Sequence, residues 1–148
     1  MEVELPKDFK DFLRLLNDER VDYLLIGGYA VGYYGYPRAT NDIDIWIATH
    51  PENAQKVVNV LKKFGFDAPD LRPELFLQKN KIIRMGHPPM RIEILTSISG
   101  VEFDVCHQRK EVDTLAGISV NLISLKDLKR NKKASGRHKD LDDLENLP

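Results

Sequence analysis

Apolar residues recur along this chain in two rhythms, one near every third or fourth position and one at every second position. Residues 6–18 carry Phe9, Phe12, Leu13 and Leu16 at helical spacing behind Pro6, which suits a first helical turn. Residues 21–26 read as a buried strand that ends directly on Gly27 and Gly28. Residues 29–34 fit a short helix, stopped by Gly35, Tyr36 and Pro37, because the residue before a proline is driven out of the helical region. Residues 42–47 alternate strictly, so Ile43, Ile45 and Ile47 face one way and Asp42 and Asp44 the other.

The same reading continues to the end of the chain. Thr49 or His50 can cap a helix opened by Pro51 and Glu52; its stripe is Ala54, Val57, Val58, Leu61 and Phe64, and Gly65 stops it. Residues 67–80 read as an irregular connection with a short helical piece at 73–77. Residues 81–85 and 91–95 read as strands on either side of a turn at 86–89. A connection over 96–105 leads to a short helix or turn ending near Gln108. Residues 110–115 and 118–123 flank Ala116-Gly117 and predict a tight hairpin. Ser124 then caps a helix with Asp127 at its third position, and a last helix packs through Leu141, Leu144 and Leu147. This order predicts an α/β (α+β) fold: one domain over residues 1–148, with a mixed β-sheet flanked by helices on one side and a carboxylate site at the open face or edge.

Composition narrows the function classes without choosing one. A net charge of −1 gives no global pull toward nucleic acid or membrane. The lone Cys106 excludes an internal disulfide framework and suits a reducing cytosol. No apolar run approaches the ~20 residues of a membrane span, and the opening MEVELPKDF lacks a basic region followed by an apolar core. The expected location is therefore cytoplasmic. The glycines form neither a Walker loop nor a dinucleotide fingerprint, and the four histidines have no zinc-like spacing.

The chemistry gathers around the second strand. Carboxylates at i and i+2 stand roughly 6–7 Å apart at Cα and can converge on a cation. With no cation they repel by about 3 kcal/mol at ~5 Å and an effective dielectric near 20. Asp-x-Asp alone is also the pattern of a solvated sheet face. Here it follows a Gly-Gly pair at a strand end, where exposed backbone N–H groups suit a phosphate. Arg38 and Thr40 lie in the loop between. A further carboxylate is offered by Glu93 in the alternating 91–95 strand, or by Asp104. Near the end, basic residues from Lys126 to Lys139 give way at once to Asp140, Asp142, Asp143 and Glu145.

Gly27-Gly28-Tyr-Ala-Val, then Arg38-x-Thr40-x-Asp42-Ile43-Asp44, then RIEILTSI resembles the polymerase-beta-like nucleotidyltransferase superfamily, and within it the small AbiE-type branch that includes toxins of toxin–antitoxin pairs. LKRNKKASGRHKDLDDLENL is similar to the C-terminal basic helix motif of that branch. The resemblance implies transfer of a nucleoside monophosphate from an NTP to an acceptor hydroxyl, with tRNA or a protein as acceptor and an antitoxin or a second copy as partner. It implies Asp42, Asp44 and Glu93 as catalytic and metal residues holding two Mg²⁺ ions, with Mn²⁺ as substitute. It assigns nucleotide binding to Gly27, Gly28, Arg38, Thr40, Lys132, Arg137, Lys139 and Asp140. The alternative from a different class is a non-catalytic member of the same fold that binds nucleotide, RNA or a protein partner.

Overall fold

A computed structural model describes residues 4–37, 39–87 and 90–148, with the side chain of His87 left out of the description. The elements run α1 (Lys7–Asp18), β1 (Tyr23–Ile26), α2 (Gly27–Tyr33), β2 (Asp42–Ile47), α3 (Pro51–Phe64), a 3-10 turn (Pro73–Phe76), β3 (Ile82–His87), β4 (Met90–Leu95), α4 (Phe103–Gln108), β5 (Glu111–Leu115), β6 (Ile118–Leu122), α5 (Leu125–Ser135) and α6 (His138–Asn146). Among the described residues six strands form one mixed sheet in the order β3-β4-β2-β1-β6-β5. β2 pairs with β1 in antiparallel fashion and with β4 in parallel, the chain reaching β4 through α3 and then the edge strand β3. The expected mixed sheet flanked by helices is what the chain forms.

Its helices lie on both faces rather than one. On the first face, Tyr23, Leu25, Ile43, Ile45, Ile47, Ile92 and Ile94 pack under α1 and α3. On the second, Leu24, Ile26 and Trp46 meet Ala30 and Val31 of α2, Cys106 of α4, Leu128 of α5 and Leu147. The reason is in β1: all four of its residues are apolar and buried, so the strand needs cover on both sides. The second core closes over part of that face, and the aspartates of β2 lie beside it.

Local signals acted as expected. Ser124 Oγ caps α5 by accepting the Asp127 amide at 3.2 Å. Ala116 and Gly117 both take positive φ, 50° and 83°, as a two-residue hairpin turn of the primed kind requires. Boundaries moved slightly. α2 starts on the glycines themselves, and β3 runs two residues past the expected Met85. The expected turn at Pro88 and Pro89 lies outside the described residues. Among the described residues no helix is long and apolar enough to cross a membrane.

One tertiary clasp was not read from the sequence. Asn53 in α3 is 1% exposed. Its Oδ1 accepts the Asp22 amide at 2.7 Å, and its Nδ2 donates to the carbonyls of Asp22 at 3.1 Å and Ala48 at 2.9 Å. It therefore ties the start of β1 and the end of β2 to α3. Asn53→Ala would leave buried backbone groups without partners, and we expect a loss of about 2–4 kcal/mol in chemical denaturation, with the site described below unaltered.

Candidate active site

Strand pairing builds the floor of the site. The parallel register places Asp42 beside Arg91 and Asp44 beside Glu93; the antiparallel register of β3 then places Arg84 beside Glu93. Asp44, Glu93 and Arg84 thus form one row across three strands. The register faces the carboxyls of Asp44 and Glu93 toward each other, and the two interact. Burial, the Glu93 hydrogen bond and the Glu93 charge push the Asp44 carboxyl up to about 7. Burial acts on Glu93 in the same sense, but hydrogen bonds from Asp44 and Arg84 hold it below its ordinary value, with Arg84 Nε 2.9 Å from Oε1. Of the two, Asp44 is therefore the carboxyl that is more readily protonated. Its Oδ1 is buried with no hydrogen-bond partner among the described residues.

Gly27 closes in from β1. It has a φ of +69°, and a Cβ there would run into Asp44 Oδ2. A Cβ on Gly28 would stand 3.0 Å from Thr40 Oγ1, and that hydroxyl donates to the Asp42 carbonyl at 3.1 Å. Both glycines are thus needed for the close approach of α2 to the aspartate strand. Asp42 is turned to Arg91, with Nε to Oδ1 at 3.3 Å and Nη2 to Oδ2 at 3.4 Å. Among the described residues no three His, Cys, Asp or Glu side chains converge as they would around a metal. Arg38 lies outside the described residues.

A cleft of about 280 Å³ opens above this floor. It is lined by Gly27, Gly28, Asp44 and Glu93 below and by Lys132, Arg137, Lys139 and Asp140 of the C-terminal hairpin above. Residues about 90 positions apart in sequence are brought together here. Arg137 and Lys139 are exposed toward the cleft, and the Lys139 charge favours ionised Asp44. Lys132 differs: it is 5% exposed and paired with Asp140 and Asp143. Asp104 is exposed on α4 and does not line the cleft, so the geometry brings Glu93, and not Asp104, to Asp44. Arg84, Asn131, Ser97 and Ser99 also line the cleft and were not singled out from the sequence. Arg84 could have been found only through the β3–β4 register, which the alternation of either strand alone does not set.

The family model described as aminoglycoside-2''-adenylyltransferase matches residues 8–147. The chain belongs to this nucleotidyltransferase family. A crystal structure from Thermotoga maritima, assigned to the nucleotidyltransferases, is similar at 19% identity, covering 93% of this chain and 88% of its own, with a TM-score of 0.63. An antigenic nucleotidyltransferase-like protein from Paracoccidioides brasiliensis is similar at 20% identity, covering 93% of this chain and 72% of its own, with a TM-score of 0.55. Both likenesses speak to the fold. No curated protein matches the chain. The family and the fold together make this a transferase of the nucleotidyltransferase kind; the match does not name the AbiE-type branch.

The raised Asp44 carboxyl has a measurable consequence. Asp44 titrates near 7 when folded against 3.8 ordinarily. Between those values the folded state holds a proton that the unfolded state has released, so stability falls as pH rises through that window, by up to about 1.4 kcal/mol per unit, and levels off above it. Asp44→Asn should remove this slope and be the more stable form at pH 8. Urea unfolding of both proteins at pH 4 to 8 in chelator checks it.

Proposed function

We propose that this protein transfers a nucleoside monophosphate from an NTP to an acceptor hydroxyl and releases pyrophosphate. The observation that carries the reading is the half-buried Asp44–Glu93 carboxyl pair at the floor of a cleft whose roof presents Arg137 and Lys139. The donor set fits a divalent cation: hard carboxylate oxygens, one of them an orphan, in a pair that otherwise needs a proton to coexist. Asp44 and Glu93 would hold it, and Asp42 would complete the set by exchanging Arg91 for metal. Two Mg²⁺ ions, or Mn²⁺ in their place, would supply charge neutralisation at the phosphates and an acidified acceptor hydroxyl.

The chain's own residues divide the remaining work. Arg137 and Lys139 bind the triphosphate and offset the charge that grows on the leaving pyrophosphate. Gly27 and Gly28, bare of side chains, let phosphate come close to the backbone. Thr40 holds the entry of β2 through the Asp42 carbonyl. Glu93, kept ionised by Arg84, takes the proton of the acceptor hydroxyl. The acceptor oxygen forms a bond to the α-phosphorus as the bond from that phosphorus to the bridging oxygen breaks, and pyrophosphate leaves with the electron pair. Asp140 works indirectly, by anchoring Arg137, and Lys132 lines the cleft while held by Asp140 and Asp143.

The family's description names an aminoglycoside as the source of the acceptor hydroxyl. The AbiE-type resemblance instead favours tRNA or a protein, in a toxin whose partner is an antitoxin or a second copy. A second reading is a fold that binds without turnover; it draws on Asp42 being engaged by Arg91.

Calorimetric titration with each NTP, with and without Mg²⁺, decides between them when followed by transfer from labelled NTP. We expect Mg²⁺-dependent binding that is lost in Asp42→Ala/Asp44→Ala, and an intact protein that binds no NTP would refute the proposal. Glu93→Gln should cut transfer by about 100-fold or more, as expected for loss of a general base, while Asp104→Asn should stay within about twofold of the natural rate. The reverse order would move the third carboxylate to Asp104.

A further inference from the structure

The residues that floor the cleft run in register across four strands: Ile26 of β1 pairs with Asp44, Asp44 with Glu93, and Glu93 with Arg84 of the edge strand β3. Gly27 follows Ile26 directly. The glycine pair therefore stands at one end of the row and Arg84 at the other, roughly 14 Å apart at ~4.8 Å per strand. The carboxyls lie between. Arg84 spends one donor on this row, its Nε standing 2.9 Å from Glu93 Oε1. Its side chain is 56% accessible against 16% for Glu93, and the remainder of its guanidinium has no partner among the described residues. Arg84 lines the cleft, beside an apolar wall of Ile82, Leu95 and Ile98. The 97–99 segment of that wall is pinned from two sides. Ser97 Oγ accepts the Asn80 amide at 3.1 Å, and Asn131 Nδ2 donates to the Ser99 carbonyl at 3.0 Å.

We propose that Arg84 selects the acceptor: its unspent donors bind a phosphate group carried next to the attacking hydroxyl. The inference deepens the nucleotide-transfer reading and rests on it. In-line displacement puts the acceptor and the leaving group on opposite sides of the α-phosphorus. With the triphosphate over Gly27 and Gly28 and under Arg137 and Lys139, pyrophosphate leaves at that end, and the acceptor enters from the end of Arg84. Proton transfer demands the same side. The hydroxyl must come within hydrogen-bond reach of Glu93, and Arg84 already touches Glu93, so the atoms flanking the hydroxyl lie beside the guanidinium. With Nε engaged, the terminal nitrogens still present a planar fork that matches two phosphate oxygens. The sign of the charge follows from the lining. Among the described residues the carboxylates that line the cleft are Asp44, Glu93 and Asp140. All three are committed, the first two to each other and Asp140 to Arg137 and Lys132. An acceptor with several ammonium groups would find no spare counter-ion there and would meet Arg84 instead.

The test measures acceptor binding without turnover. The natural protein and Arg84→Gln are each saturated with Mg²⁺ and an α,β-methylene NTP analogue, which cannot release pyrophosphate, and titrated by calorimetry. The probes are matched pairs, ribose 5-phosphate with ribose and the ribotrinucleotide ApApA with adenosine, and kanamycin is the polycationic control. In at least one pair the natural protein should bind the phosphate-bearing member about tenfold more tightly or better, ribose 5-phosphate indicating a small phosphorylated acceptor and ApApA a nucleic-acid end. Arg84→Gln should weaken that probe by about tenfold or more, as loss of a charge-assisted contact does, and leave the neutral probe and the analogue within about threefold. Should Arg84→Gln fail to fold, Arg84→Lys, which keeps the charge but lacks the fork, takes its place with the same expected loss. Equal weakening of charged and neutral probes would mean that Arg84 serves Glu93 alone, and equal weakening of the analogue would place Arg84 on the triphosphate. A natural protein without preference for phosphate, or one that binds kanamycin most tightly, would make the acceptor neutral or cationic. Each of these overturns the inference. A natural protein that binds no NTP analogue overturns the functional reading itself, which sets that failure apart from the others.

Discussion

The parallel pairing of β2 with β4 is the constraint on which the site depends. It sets Asp44 opposite Glu93 and, in the same register, Ile43 and Ile45 opposite Ile92 and Ile94. A slip of one residue would turn every side chain of β4 to the other face, burying Glu93 in the larger core and exposing Ile92 and Ile94 in the cleft. The isoleucines thus hold the carboxylates together by making any other register costly. The core specifies the site, although none of these four isoleucines lines it. α3 and its Asn53 clasp act on the same pairing from outside, since they hold the ends of β1 and β2 where the crossover begins.

The electrostatics of the cleft follow from pairing rather than from total charge. Asp42 has Arg91, Glu93 has Arg84, and Asp140 has Arg137 and Lys132. Asp44 is the exception. Its nearest ionisable partner is another carboxyl, and its Oδ1 has no hydrogen-bond partner among the described residues. A protein with a net charge of −1 thereby sets one carboxyl without an ion pair among the described residues beneath two exposed cations. That contrast is local and short-ranged.

The C-terminal hairpin shows how one motif divides between two jobs. Lys132, Arg137, Lys139 and Asp140 belong to a single basic-then-acidic run, and as a run they read as one binding surface. In the fold, helix periodicity sends Lys139 outward and Asp140 inward. Lys132 faces across the hairpin to Asp140 and Asp143. Charge in the sequence therefore says that such a helix matters but not which of its charges face solvent.

Much of the architecture was legible because its signals are local. The helical stripe of α1, the Ser124 cap, the Ala116-Gly117 turn and the strict alternation of 42–47 each depend on neighbours within a few residues, and each formed where expected. The facing of Asp42 and Asp44 away from the isoleucines was legible for the same reason. What the chain alone left open is of a different kind. The choice between Glu93 and Asp104, the engagement of Asp42 by Arg91, the place of Arg84, the burial of Lys132 and the clasp of Asn53 are all relations between elements distant in sequence. So is the second core, which arises because β1 is apolar on both sides. By itself the sequence determined the elements and which way their side chains alternate, since backbone sterics and hydrogen bonding act over a few residues. Only the tertiary structure decided which charges meet, because strand register and helix packing are set by burying the whole apolar surface at once.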